Sequence, residues 1–120
     1  MKLRDKIFTK KVQFEEKEVD FDGDKIILRQ PDLKVRSDIY KQAAKTDAKK
    51  GNMEVDITKL QVYTVIYCAF DPETDKRIFN KGDYKKLSES ALGTYVINKL
   101  ADEAMQLMEA ELDPKKQEKS

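Results

Sequence analysis

Histidine and tryptophan are missing from this chain altogether, and cysteine occurs once, at Cys68. Without histidine the commonest general base at neutral pH is gone, and a thiol or hydroxyl has no imidazole to activate it. One cysteine and no histidine cannot build a metal site of the usual Cys/His spacing. An intrachain disulfide is excluded too, which fits a reducing compartment. Glycine is equally sparse: the four stand at 23, 51, 82 and 93, too scattered for a loop that cradles phosphates or a dinucleotide. No run of about 18 apolar residues occurs, so no membrane partner is expected. Met1-Lys2-Leu3-Arg4-Asp5-Lys6 leads into no apolar stretch, so no export signal is expected and the cytoplasm is the expected location. An excess of charge of one sign is lacking as well. Lys+Arg number 24 against 23 Asp+Glu, so no global field draws nucleic acid.

What the chain has in quantity is balanced charge. Charged residues make up 39% of its 120 positions, well above the typical share of about 25%. So much solvated side chain on a chain of single-domain length predicts one thin domain. That domain is expected over residues 1–113, with 114–120, Pro-Lys-Lys-Gln-Glu-Lys-Ser, as a disordered charged tail.

Residues 16–29 read as a β-hairpin. Val19 and Phe21 alternate with Glu18 and Asp20, and Asp22-Gly23 suits the positive φ angles of a type I′ turn. A two-residue loop places Phe21 opposite Asp24, Asp20 opposite Lys25 and Val19 opposite Ile26. Val19, Phe21, Ile26 and Leu28 then share one face, and Asp20 and Lys25 form an opposite-charge pair on the other. Asp20, Asp22 and Asp24 do not make a calcium loop. Gly23 sits in the wrong place, and the twelfth position is Pro31 where a bidentate glutamate is needed.

After Pro31, Leu33, Arg36, Ile39, Tyr40, Ala43 and Ala44 recur at helical spacing, and Lys49-Lys50-Gly51 reads as the cationic end and cap of that helix. Residues 57–70 are ambiguous, because Val62-Tyr63-Thr64-Val65-Ile66-Tyr67 has the composition of a strand. The length of the apolar run and the Asp56 cap favour a buried helix, with Cys68 as a small core hydrophobe and Asp71-Pro72 as its stop. A last helix over residues 89–112 carries the stripe Leu92, Val96, Leu100, Ala104, Leu107 and Met108. The first eleven residues hold Leu3, Ile7 and Phe8 as a short helix, docked or frayed. The sum is an α+β fold, mainly helical, with an N-terminal β-hairpin packed on about four α-helices.

No catalytic, cofactor-binding or metal-binding residue stands out, and the chain is expected to act by binding other proteins rather than as an enzyme. Met105, Met108 and Leu112 on the last helix are the candidate partner-binding residues, since methionine adapts to varied apolar partners. The competing reading puts Met108 in the core and only Met105 outside it. An RNA-binding module would rest on Tyr84, Lys85 and Lys86 with Lys45, Lys49 and Lys50, but acids interleave these lysines.

The order of these elements resembles that of the tail assembly chaperones of long-tailed bacteriophages and prophages. The resemblance is carried by the apolar segment Leu60-Gln61-Val62-Tyr63-Thr64-Val65-Ile66-Tyr67-Cys68-Ala69-Phe70-Asp71. It continues through Asp75-Lys76-Arg77-Ile78-Phe79, Asp83-Tyr84-Lys85-Lys86-Leu87 and the final helix. The start of the first long helix, Asp32-Leu33-Lys34-Val35-Arg36, departs from the family, which often has Thr or Ser with Ala and Glu there. The resemblance implies binding to the tape measure protein in the host cytoplasm and absence from the mature virion. It also implies recruitment of the tail tube protein by a longer frameshifted product, for which codons at Lys115-Lys116 are the expected slippery site. A homo-oligomer of the chain is a further partner to consider. A small regulatory protein that binds one host protein would share every compositional feature.

Overall fold

The computed structural model describes residues 2–47 and 52–112. The fold is α+β and mainly helical, a β-hairpin on a layer of helices, with a shortest dimension of 20 Å. A short helix α1 (Leu3–Phe8) precedes the hairpin β1 (Glu16–Phe21) and β2 (Asp24–Arg29). Asp22 and Gly23 form its turn with φ of 54° and 93°, and the register is the expected one at Phe21–Asp24, Asp20–Lys25 and Val19–Ile26. Ile26 and Leu28 are buried and Val19 and Phe21 pack against them. On the outer face the ion pair is diagonal rather than directly across. Lys25 meets the Glu18 carboxylate, not that of Asp20.

Next comes α2 (Leu33–Ala43), capped by Asp32, whose carboxylate accepts from the Val35 N–H at 2.8 Å. This helix is shorter than the sequence suggests. It ends at Ala43, where the chain extends into β3 (Ala44–Asp47), paired antiparallel with β4 (Asn52–Val55). Lys49, Lys50 and Gly51, read above as the helix end, lie outside the described residues.

The ambiguous segment is a helix, α3 (Ile57–Cys68), with Asp56 accepting from the Lys59 N–H at 3.1 Å. Seven of its residues are buried, and the polar side chains left unburied, Thr58, Lys59 and Gln61, are confined to its first half. Thr64, the one polar interruption, donates its hydroxyl to the Leu60 carbonyl at 2.6 Å and is thereby satisfied in the core. Helix geometry stops two residues earlier than expected. Ala69 turns extended (φ −89°, ψ 121°) and opens β5 (Ala69–Asp71), which pairs with β2 at Ile27–Phe70 and Leu28–Ala69. A two-residue strand β6 (Lys76–Arg77) completes a sheet of order β1-β2-β5-β6. The ladder bonds to β2 outweigh one more helical turn, and only that third strand reveals why the apolar run outlasts the helix.

The last helix, expected over residues 89–112, starts later and stops earlier, and a separate short helix precedes it. α4 (Tyr84–Glu89) breaks at Ser90, whose hydroxyl accepts from the Gly93 N–H at 2.9 Å and caps α5 (Ala91–Glu109). One apolar cluster joins β2, α2, α3, β5, α4 and α5. By contrast α1 buries no residue. The proposed tail, residues 114–120, lies outside the described residues.

Two core groups have testable consequences. Cys68 is fully buried, and desolvation pushes its thiol up to about 12, against a weaker pull from Arg77. It should therefore resist thiol reagents in the native protein and react within seconds of denaturation, which a colourimetric thiol assay with and without urea will read. The Tyr67 hydroxyl is buried without a hydrogen-bond partner among the described residues, while the Arg77 guanidinium lies 4.9 Å from its ring centre. Removing an unsatisfied hydroxyl relieves a desolvation cost, so Tyr67→Phe should raise stability by about 1 kcal/mol in urea titration.

Candidate functional site: an apolar trough at the hairpin tip

The stripe expected on α5 is buried except at its first member, Leu92. Steps of four overshoot a 3.6-residue turn by about 40° each, so Leu92 and Leu100 point in directions about 80° apart. The buried series begins at Gly93 and continues through Val96, Ile97, Leu100, Ala101, Ala104, Leu107 and Met108. Leu92, expected in the core, is 72% exposed.

Leu92 stands on the wall of a trough of about 750 Å³. The β1–β2 turn forms one side through Phe21 and Ile26. The β5–β6 turn forms another through Pro72, followed by Ile78 and Phe79, and α5 supplies Leu92 and Val96. A second hollow of about 380 Å³ shares Phe79, Leu92 and Val96 and reaches Leu87 and Gly93 at the α4–α5 junction. The two share an apolar surface, and each is within the size range of ligand clefts. Asp24, Asp71, Glu73 and Lys25 stand on its lip.

The hairpin wall is fastened to α5. The Tyr95 hydroxyl donates to Asp22 Oδ1 at 2.7 Å and the Lys99 ammonium donates to the same oxygen at 3.1 Å. Phe21 packs edge-on against Tyr95, with ring centres 5.8 Å apart. The Tyr95 hydrogen bond first, then that of Lys99, holds the Asp22 carboxyl below its ordinary 3.8. A depressed pKa means that this anchor is intact above 3.8 and is lost only as pH falls through the lower folded value. An NMR titration of Asp22 should show a midpoint below 3.8, and Tyr95→Phe should move it upward.

The residues expected to bind a partner are elsewhere. Met108 is 2% exposed, its sulfur 3.8 Å from the Thr64 hydroxyl, and so belongs to the core. Met105 is half-buried and packs against the same cluster. Leu112 is half-buried and lines a smaller groove at the far end of α5 with Phe14, Pro31 and Leu33, and the buried Met108 lies at its base. The structure thus brings Met108 and Leu112 together, but on α5 neither Met105 nor Met108 is exposed.

Of the residues offered for RNA stacking, Tyr84 lies against Tyr63, ring centres 4.8 Å apart and nearly parallel, which occupies one face of its ring. Among the described residues no group of three His, Cys, Asp or Glu side chains is placed to hold a metal ion, and no helix is long and apolar enough to cross a membrane. Ile78 and Phe79 were visible as an apolar pair in a polar stretch, but nothing in their spacing tied them to Leu92. Comparison with known protein families, curated proteins and solved structures finds no match to this chain.

Proposed function

We propose that the chain is a tail assembly chaperone that holds an apolar helical segment of the tape measure protein in the trough at its hairpin tip. The observation that carries this reading is the exposure of Leu92 beside Phe79, Ile78 and Phe21, on a surface built from three separate elements. Contiguous exposed apolar surface costs solubility, and on soluble proteins it marks sites of protein–protein contact. A helix laid in such a groove buries its apolar face in the manner of other helix-in-groove complexes. The order of elements carries the resemblance to this chaperone family. Recruitment of the tail tube protein by a longer product frameshifted near Lys115-Lys116 belongs to the same proposal, as does release before the virion is complete in the host cytoplasm.

The direct test is to express the tape measure protein with and without this chain and measure the soluble fraction by sedimentation. The chain should keep it soluble and elute with it. A tape measure protein equally insoluble in both cases would reject the reading.

A further inference from the structure

We infer that the trough selects a cationic amphipathic helix, one whose leucine-like stripe is flanked by lysine or arginine. This rests on the reading that the trough is the partner site, and it adds the partner's charge. Three carboxylates, Asp24, Asp71 and Glu73, stand on the lip against one cation, Lys25. That cation is already engaged, since Lys25 is paired with Glu18 on the neighbouring strand. Asp71 accepts from the Glu73 N–H at 2.8 Å, a neutral donor that leaves its charge in place. Asp24 and Glu73 are exposed and form no ion pair among the described residues. The adjoining hollow is balanced, with Asp83 against Lys86. Asp71 has Lys76 opposite it across β5–β6, so the surface offers an apolar floor beside two exposed, unpaired carboxylates, Asp24 and Glu73. A helix whose stripe lies on Phe79 and Leu92 brings its flanking positions over that lip.

The physics sets the size of the preference. Exposed ion pairs are individually weak, but two or three across one lip favour a cationic over an anionic helix by about tenfold near 0.1 M salt. Salt near 1 M, with a screening length of about 3 Å, should erase the difference. The apolar contacts survive that salt, so binding itself should persist.

The chain's own α1 has this chemistry. Leu3, Ile7 and Phe8 are exposed, with Lys2, Arg4, Lys6, Lys10 and Lys11 around them. A second copy is thus the natural competitor for the trough, and the test must separate it from a foreign partner.

The experiment uses the full chain and two synthetic helical peptides of about 18 residues, five turns, with the same leucine positions. One carries lysine and the other glutamate at the flanking sites, and fluorescence anisotropy gives both affinities near 0.1 M and 1 M salt. The cationic peptide should bind about tenfold tighter at low salt and equally at high salt. Asp24→Lys with Glu73→Lys should reverse the preference, and Leu92→Asp should abolish binding of both. All three positions are exposed, and a circular dichroism melt checks that the variants fold. Equal affinities, or a tighter anionic peptide, would overturn the charge preference while leaving the trough as the site if Leu92→Asp still abolishes binding. Failure of both peptides to bind, or binding indifferent to Leu92→Asp, would overturn the trough reading as well. Self-association of the wild-type chain that Leu92→Asp dissolves would assign the trough to a second copy and reject the foreign partner.

Discussion

Ile66→Ala should lower the unfolding free energy by about 2–5 kcal/mol, a large part of the stability of a domain this size. Ile66 is 1% exposed in the last turn of α3, the helix that α2, α4, α5 and β2 all touch. Removing three carbons there leaves a cavity that the surrounding elements cannot close together, because each is fixed on another side. The loss combines the transfer free energy of the missing carbons with the contacts their neighbours forfeit. Urea titration followed by circular dichroism will measure it. A midpoint unchanged from wild type would mean that α3 is not the centre of the core.

The second large effect is expected at Gly93. A Cβ placed there would lie 2.3 Å from the Lys86 carbonyl oxygen, 2.4 Å from that of Leu87 and 2.5 Å from the Leu87 Cα. These are backbone atoms, so no side chain can swing aside. In an open helix Gly→Ala stabilises by about 1 kcal/mol. Here the clash must push α4 away from α5, and overpacking of that kind costs about 1–3 kcal/mol, occasionally more. The sign of the net change is therefore destabilising, and Gly93→Ala should melt well below wild type. It should also weaken partner binding, because Gly93 and Leu87 line the hollow beside Leu92. A Gly93→Ala protein as stable as wild type would show that the α4–α5 contact yields easily.

Legibility in the sequence followed the range of the interactions. The β1–β2 hairpin was readable to the residue, because alternation and Asp22-Gly23 act between neighbours in the chain. The caps were local too, and Asp56 gave the start of α3. The end of α3 was not readable, since β5 exists only because β2 lies beside it, and nothing near Ala69 announces that pairing. The same holds for α2, which gives way at Ala43 to a strand whose partner follows it. Ser90 caps α5 two residues inside the expected start of that helix, and the close approach of Gly93 to α4 is tertiary. The candidate trough was hidden for a related reason. A four-residue spacing put Leu92 on the core face, and the adaptability of methionine drew attention to Met105, Met108 and Leu112. The actual turn of the helix rotates Leu92 out toward Phe79, thirteen positions earlier in the chain.

The trough account is tested most directly by co-purifying three forms of the chain with the tape measure protein: wild type, Leu92→Asp, and Met105→Glu with Leu112→Glu. Leu92 is exposed, so its replacement should leave the melting temperature unchanged while a charge enters the apolar floor. Wild type and the Met105→Glu, Leu112→Glu protein should carry the tape measure protein through the column, and Leu92→Asp should come through alone. Retention by Leu92→Asp, with loss by the Met105→Glu, Leu112→Glu protein, would contradict the account and move the site to the far end of α5.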